Sequence, residues 1–435
     1  MIEPVEPGGG LEVERQRLTN TRRGVWPVIV AGLAVVAVAV LGGRLGAGGT
    51  TIASPSPSPT KSSRPTIRPP STEPPPSLPS IANQVLAFPS TVALVRRDGA
   101  SLELLGWQSG DPDFRPFAQM SDVFPNSDSV QAAGSDLSPD GRLALIMTID
   151  ATDLSGKVRA QVRSVDAGNL VWESDPTEGF PAPLWSQDSR AVAITPSTGP
   201  WLVTALDDLG RVRPHRISVP NRGGLENPGD GPEWIAVGFS RDRRWLYAVS
   251  LESQVPRAAW RVDVATGKRQ ELERFALTGP GGLVPDPSTP VAVDPASGRL
   301  MGRFGGENSV NVFEPDGTLA FSVPVSTNQG ASWTGDGGLA VLETQGEVRS
   351  GATRLFVVDA AGNRADPIWE FPAVQAVGLL NAGNGHALMF LAADFEASDV
   401  RVVLIRLSDG ATSAVRPDPA IVEQTIGLDW FDPSP

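Results

Sequence analysis

The chain has 435 residues, a formal net charge of −13 and no cysteine. The lack of cysteine excludes disulfides, thiolate zinc sites, cysteine nucleophiles and lipid attachment through an N-terminal cysteine. With His215 and His386 as the only histidines, a multi-histidine metal site is not expected. Residues 85–435 carry a net charge of −16, which repels phosphate backbones and so disfavours nucleic-acid binding.

Residues 25–43 (VWPVIVAGLAVVAVAVLGG) contain no charge and no polar face. At 1.5 Å per residue, such a helix spans roughly 28 Å, about the hydrocarbon thickness of a bilayer. Four arginines lie in residues 1–24, and after the segment only Arg44 is close. The positive-inside rule therefore predicts a cytoplasmic tail (1–24), a transmembrane helix (25–43) and an extracytoplasmic remainder.

A cleaved signal peptide is the alternative for this N-terminal region. Residues 51–53 (TIA) resemble a small-residue cleavage site, and residues 21–23 resemble a twin-arginine signal without its usual continuation. The apolar stretch is longer than the usual signal-peptide core, which favours an uncleaved anchor. Both interpretations predict that the bulk of the chain is exported.

Residues 50–80 contain ten prolines and almost no large apolar side chains. Such a segment cannot bury enough surface to fold and favours extended polyproline II. We therefore predict a disordered Pro/Ser/Thr-rich stalk over residues 44–84. A proline-rich ligand for a recognition domain is the alternative.

From residue 85 onward the chain shows short apolar runs broken by Gly, Asp, Pro and Ser, which is typical of an all-β domain. A first turn motif precedes an apolar run, as in residues 137–142 (LSPDGR) before LALIM. It recurs around Asp140, Asp188, Asp242, Ser297, Asp336 and Asn384, at intervals of 48, 54, 55, 39 and 48 residues. We assign structural turn roles to Asp140, Gly141, Asp188, Asp242, Gly298, Asp336 and Gly337.

A second turn motif places a glycine shortly after an aspartate, which suits a tight hairpin. It occurs seven times, at 98–99, 166–168, 207–210, 263–267, 316–317, 359–362 and 409–410. One hairpin of each kind per ~50 residues is the pattern of a four-stranded propeller blade. The count predicts a seven-bladed β-propeller over residues 85–435, with six or eight blades as the alternatives.

The C-terminal residues 426–431 (IGLDWF) resemble strands that open a blade. We predict that they complete the first blade together with residues 85–88, 91–96 and 101–106. The last strand would thus close the ring and remove exposed sheet edges.

Residues 137–146 (LSPDGRLALI) and 185–194 (WSQDSRAVAI) resemble the WD40-like repeats of bacterial exported propellers of the PD40 or TolB type. Weaker copies lie at 239–249 and 333–342, so the resemblance covers about 350 residues. It implies a propeller that binds partners, peptides or cell-envelope components, and it specifies a turn rather than a chemistry.

Three patterns resemble features of enzymes, and each is better explained structurally. Residues 326–333 resemble a sialidase Asp-box, but the only tyrosine, Tyr247, lies in an apolar run typical of a core strand. Residues 263–267 and 166–172 resemble quinone-dehydrogenase repeats, yet they also suit ordinary blade hairpins. Two acidic pairs could cleave glycosides or bind calcium but are expected in solvated turns: Asp207 with Asp208, and Asp111 with Asp113.

The histidines are likewise interpreted as structural. His386 begins an apolar strand, and His215 lies among Arg211, Arg213 and Arg216 on a strand expected to face solvent, where an anionic ligand is the alternative. No metal, cofactor or catalytic residue is predicted.

The sequence as a whole predicts a single-pass membrane protein whose propeller binds, scaffolds or senses a protein, peptide or cell-wall polymer. The alternative is a cell-envelope carbohydrate hydrolase or lyase that uses carboxylates on one propeller face. A third interpretation makes the propeller an accessory subunit of a membrane complex.

Overall fold

The computed structural model describes residues 78 and 80–431, apart from several breaks. The breaks are residues 126–128, 151–156, 177–181, 196–200, 207–211, 218–232, 253–254, 273–291, 295, 303–308, 327, 345–351, 373–375 and 393–398. The predicted transmembrane segment and most of the predicted stalk lie outside the described residues. Among the residues that are described, no helix is long and apolar enough to cross a membrane.

The described strands form seven four-stranded antiparallel sheets, which we number by their place along the chain. Sheet 1 contains β1 (Thr91–Asp98), β2 (Ser101–Trp107), β3 (Arg115–Met120) and the C-terminal β28 (Thr425–Phe431). Sheets 2 and 3 contain β4 (Val130–Leu137), β5 (Leu143–Asp150), β6 (Val158–Ser164), β7 (Leu170–Glu173), then β8 (Ala182–Trp185), β9 (Ala191–Thr195), β10 (Trp201–Leu206) and β11 (Val212–Ile217).

The remaining four sheets follow in the same manner. Sheets 4 and 5 contain β12 (Glu233–Phe239), β13 (Trp245–Glu252), β14 (Val255–Asp263), β15 (Arg269–Glu271), then β16 (Ala292–Val293), β17 (Leu300–Gly302), β18 (Ser309–Phe313) and β19 (Leu319–Pro324). Sheets 6 and 7 contain β20 (Asn328–Trp333), β21 (Leu339–Thr344), β22 (Thr353–Val358), β23 (Trp369–Phe371), then β24 (Ala376–Gly383), β25 (His386–Ala392), β26 (Val400–Arg406) and β27 (Thr412–Val415). A short helix, α1 (Pro419–Gln424), precedes β28 and begins at the N-cap Asp418.

The sheets are arranged as a β-propeller. In sheets 2–7 the chain passes through the four strands in order, and first strands contact one another between sheets 1 and 2, 3 and 4, 4 and 5, 6 and 7, and 7 and 1, where β28 is the first strand of sheet 1. These first strands are therefore the inner strands, nearest to the propeller axis. The predicted all-β propeller fold is confirmed.

The predicted composition of the first sheet, in which the C-terminal strand pairs with β1, is confirmed in part. The C-terminal β28 pairs antiparallel with β1, from Thr91–Phe431 to Arg96–Thr425, as the inner strand of sheet 1. The expectation that residues 85–88 form a strand of this sheet is wrong, because the fourth strand is β3. Residues 85–88 instead place Leu86 and Phe88 in the apolar contact between sheets 7 and 1.

The connections between strands define two faces of the propeller. In sheets 2–7, first-to-second and third-to-fourth strand connections share one end, which we call the turn face. The remaining connections lie at the other end, the loop face. The hairpin at 98–99 joins the second and third strands of sheet 1, so it lies on the loop face, unlike the other described Asp–Gly hairpins.

The core lies between adjacent sheets, where apolar residues from facing strands interlock. The cluster between sheets 1 and 2 includes Ala93, Val95 and Leu104 from one side and Leu137 and Ile146 from the other. Similar clusters join sheets 2 and 3, 3 and 4, 5 and 6, 6 and 7, and 7 and 1. Sheets 1, 2, 3, 6 and 7 are thus buried on both faces, which explains their short, nearly continuous apolar runs.

Candidate functional site

The Asp140 turn shows how the first repeat motif works. The Ser138 hydroxyl donates a 2.7 Å hydrogen bond to the Asp140 carboxylate, which also accepts from the Arg142 N–H at 3.1 Å. The Ser138 oxygen in turn accepts the Leu143 N–H at 3.0 Å. Matching serine or threonine contacts surround Asp188, Asp242 and Asp336. These four carboxylates therefore organise turns on the turn face.

The three glycines singled out in these turns have positive φ angles: +69° at Gly141, +74° at Gly298 and +85° at Gly337. Gly141 also lies directly beneath the Phe431 ring, where a Cβ atom would collide with the ring. Gly141 is thus required both by the turn and by the close approach of β28.

Of the other acidic and histidine candidates, the structure describes the side chains of Asp111, Asp113 and His386. Asp111 and Asp113 lie in the turn after β2, where the Asp111 carbonyl oxygen accepts the Trp107 indole N–H at 3.0 Å. Asp207 and Asp208 lie outside the described residues, as does the side chain of His215. The part of the chain that the structure describes contains no group of three or more acidic, histidine or cysteine side chains able to hold a metal.

Tyr247 and His386 are both buried core residues. Tyr247 is 4% exposed, and burial raises the pKa of its phenol. His386 begins β25, with its Nδ1 2.8 Å from the Asn384 carbonyl oxygen. Its Nε2 is buried without a hydrogen-bond partner. The core interpretation of both side chains is confirmed.

Strand register identifies one equivalent position on every inner strand. In each sheet, one residue of the strand beside the inner strand packs towards the following sheet. The inner-strand residue that pairs with it occupies the equivalent position. In sheet 1 the pair is Ala93 with Asp429, and in sheet 2 it is Leu145 with Asp136. By the same criterion, the equivalent inner-strand residues of sheets 3 to 7 are, in that order, Leu184, Gly238, Ala292, Ser332 and Asn381. We call these seven residues the inner ring; all are partly exposed.

The inner ring has two chemically different parts. Ser332, Asn381, Asp429 and Asp136 lie on four consecutive sheets, 6, 7, 1 and 2, and form what we call the polar arc. Sheets 3 to 5 contribute only small or apolar residues to the inner ring. The clearest site-like feature of the described residues is therefore confined to one side of the propeller axis.

Members of the polar arc contact one another across sheet boundaries. The Asn381 amide donates a 3.1 Å hydrogen bond to Asp429, and the Ser332 hydroxyl oxygen accepts the Ala382 N–H at 3.0 Å. Burial, and after it the negative charge of Asp429, raises the pKa of Asp136 from 3.8 to about 8. Burial also raises the pKa of Asp429, opposed by hydrogen bonds from the Trp430 N–H and Asn381. With its pKa at about 8, Asp136 is therefore mainly protonated near neutral pH.

The sequence analysis did not identify the polar arc. Asp136 lies two residues before Ser138, the serine of the turn motif, and Ser332 lies two residues before Thr334. Alignment of the repeats on their turns would thus have found polar residues at one shared position. Such an alignment would not place Asn381 at the shared position, because the turn that follows it is shorter and Gly383 pairs directly with His386.

A second feature is the strap, which we define as residue 78 with residues 80–88. The Leu78 N–H donates a 2.8 Å hydrogen bond to Asp399, whose side chain is buried. Asp399 also forms ion pairs with Arg401 at 3.5 Å and Arg416 at 3.3 Å. Because Asp399 immediately precedes β26, this end of the strap lies at the loop face.

The strap then crosses the outer edge of sheet 7 to the turn face. The Gln84 N–H donates to the Thr412 carbonyl oxygen at 2.9 Å, beside the first residue of β27. Further along, the Phe88 ring packs 4.9 Å from His386 and 5.1 Å from Trp430, between centroids. The last residues of the predicted stalk region are thus fastened to the propeller.

No protein-family model matches the chain. No curated protein matches it in sequence either. Membership of the WD40-like repeat family therefore stays a prediction.

Solved structures with a similar fold include a prolyl endopeptidase, 13% identical over 81% of this chain and 51% of that chain, with a TM-score of 0.47. They also include TolB from Acinetobacter baumannii, 16% identical over 66% of this chain and 64% of that chain, with a TM-score of 0.36. An uncharacterized protein from Listeria monocytogenes is 11% identical over 76% and 92%, with a TM-score of 0.46. This chain spans about half the length of the prolyl endopeptidase. With TM-scores below one half, these likenesses carry no argument about activity or partner.

Proposed function

We propose that the chain is a single-pass membrane protein whose extracytoplasmic β-propeller binds a protein, a peptide or a cell-envelope polymer as a scaffold or sensor. The uncharged segment 25–43 and the arginines before it support a cytoplasmic N-terminus. The proline-rich residues 50–80 support a spacer of ~3.1 Å per residue between membrane and propeller.

The strap is the observation that carries this proposal. A propeller displayed on a tether needs a firm junction between the two, and the strap, at the end of the predicted stalk, is hydrogen-bonded to sheet 7 and packs against sheet 1. The buried Asp399 accepts a hydrogen bond from the strap at Leu78, on the loop face. We infer that a tether would leave from this face, with the turn face pointing away from the membrane.

Topology can be tested cleanly because the chain has no cysteine. Single cysteines at Gln16 and at the exposed Ala100 would each report one position to a membrane-impermeant maleimide. In intact cells we expect labelling at Ala100→Cys alone, with Gln16→Cys labelled only after lysis. Labelling of Gln16→Cys in intact cells would contradict the proposed orientation.

Binding can be tested by photo-cross-linking the full-length protein in intact cells. Cross-linking residues placed at the exposed Gln187 on the turn face and Ala100 on the loop face would compare the two faces. We expect one dominant adduct, identified by mass spectrometry, from one face. Equal, weak labelling from both faces would count against a specific partner.

We also propose that the seven described sheets are seven blades of one closed ring, of the WD40-like exported kind. Core clusters between six neighbouring pairs of sheets support this count, and sheets 4 and 5 approach closely where Gly238 meets Val293 and Gly298 meets Tyr247. An experimental structure of the full chain would test it directly.

The Asp136–Asp429 pair favours one second candidate, a cell-envelope carbohydrate hydrolase or lyase. Paired carboxyls of unequal protonation can act as general acid and base. Release of sugar fragments from purified envelope polysaccharide, lost in both Asp136→Asn and Asp429→Asn, would support this candidate.

A further inference from the structure

Asp136 and Asp429 occupy equivalent positions on two adjacent inner strands, β4 and β28, where the C-terminal strand joins sheet 1. Asp429 is on β28, which pairs with β1 as the inner strand of sheet 1. Asp136 is on β4, the inner strand of the next sheet. Ser135 links the same two strands, since its hydroxyl lies 3.3 Å from the Ile426 carbonyl oxygen. The carboxyl pair thus spans the contact between the closing strand and sheet 2.

Among the described residues, no arginine or lysine contributes to the pKa shift of either carboxyl. Across the strand pairings, Asp429 lies opposite Ala93 and Asp136 lies opposite Leu145. The neighbouring members of the inner ring are the amide of Asn381 on one side and Leu184 on the other. Asn381 can neutralise neither carboxylate, so full ionisation would leave two like charges facing each other.

We propose that the Asp136–Asp429 pair is a pH-sensitive latch on ring closure, which holds β28 against β4 while the pair retains a proton and loosens when both carboxyls ionise. This device is independent of what the propeller binds. The order of β28 would then depend on the pH on the side of the membrane where the propeller lies.

The raised pKa values set the direction of the effect. In the folded protein Asp136 has a pKa of about 8, whereas the ordinary value is 3.8. Between these two values the folded chain holds a proton that the unfolded chain releases, so stability falls as pH rises through this window. The contribution is fully present below about pH 4 and lost above about pH 8.

The first experiment compares the full-length wild-type protein with Asp136→Asn. Infrared difference spectra of the wild type at pH 6 and pH 9 should contain the band of a protonated carboxylic acid, absent in Asp136→Asn. The melting temperature of the variant should exceed that of the wild type by roughly 2 °C or more at pH 9 and approach it near pH 4. Asp98→Asn, on an exposed turn, should behave as the wild type.

The second experiment follows the latch itself by hydrogen exchange. After correction for the intrinsic pH dependence, we expect protection of the β28 amides to fall about tenfold or more between pH 6 and pH 9. Protection of β21, which belongs to sheet 6, should not change. Asp136→Ser, which introduces the residue found at the Ser332 position, should abolish the pH dependence if Asp136→Asn folds poorly. Equal pH dependence in wild type and variants, or unchanged β28 protection, would overturn the proposal.

Discussion

Sheets 1 and 2 have the same four-stranded order but are built from the chain in different ways. Sheet 2 is continuous, and its inner strand joins the next through the Ser138–Asp140 turn. Sheet 1 takes its inner strand from the other end of the chain and has no such turn. In place of the turn, β28 is held by the β1 pairing, by Phe431 against Gly141, and by Trp430 against the strap.

This difference shows where the propeller depends on tertiary contacts. A continuous hairpin forms between residues close in sequence, whereas joining β28 to β1 closes a loop of more than three hundred residues. The entropy lost in that closure must be offset by contacts that only the complete ring provides. Sheet 1 should therefore be the most sensitive part of the domain.

The largest effect is expected on removing residues 425–435. The deletion exposes the inner edge of β1 and opens the cluster that contains Ile426 and Phe431. We expect loss of the cooperative thermal transition measured by circular dichroism. Removal of residues 432–435 alone is the control and should leave the transition unchanged. A cooperative transition in the longer deletion would show that sheet 1 does not need its closing strand.

The second-largest loss of stability is expected from Asp399→Ala, which tests how the strap is held to the propeller. The substitution removes a buried acceptor of the Leu78 N–H and leaves Arg401 and Arg416 without this partner. Loss of a buried ion-pair partner destabilises by about 3–5 kcal/mol, and the partial exposure of both arginines reduces our expectation to about 2 kcal/mol.

Chemical denaturation of the full chain measures this loss. The control is Asp409→Ala, which removes an ion pair with Arg406 on the exposed surface of the same sheet. It should change the denaturation midpoint little. Equal effects of the two substitutions would mean that burial of Asp399 does not matter.

Gly141→Ala and Gly337→Ala separate ring closure from turn geometry. Both glycines have positive φ, so each alanine is expected to cost about 1 kcal/mol of strain. At Gly141 the new methyl also displaces the Phe431 ring, which adds about 1–2 kcal/mol, whereas Gly337 has only ordinary contacts. Adding Phe431→Leu to Gly141→Ala should reduce their difference, and equal losses in the two single variants would argue against the contact.

The smallest effect is expected within the repeated turns. Ser138→Ala and Ser186→Ala remove the same set of hydrogen bonds in sheets 2 and 3, so each should destabilise by about 1 kcal/mol. Melting temperatures of the two variants should agree. Clearly different values would show that the two turns are not energetically equivalent.

Local patterns in the sequence were sufficient for much of the fold. The alternation of apolar runs with Ser-x-Asp turns predicts four-stranded sheets, because a turn is formed by hydrogen bonds among residues within a few positions of each other. The closing role of residues 426–431 was also predictable, since that segment resembles the start of a repeat. The assignment of residues 85–88 as a strand failed because Leu86 and Phe88 pack against sheets that the local sequence does not specify.

The meeting of the polar-arc side chains across sheets and the path of the strap were decided by tertiary structure. Sequence spacing places Asp136 and Asp429 almost three hundred residues apart, and only ring closure sets their inner strands side by side. Their raised pKa values follow from burial, and that of Asp136 also from the charge of Asp429; both causes exist in the assembled ring and not in either strand. The sequence by itself therefore determined the repeating unit and its turns, whereas the long-range packing of seven sheets decided which polar groups meet at the axis.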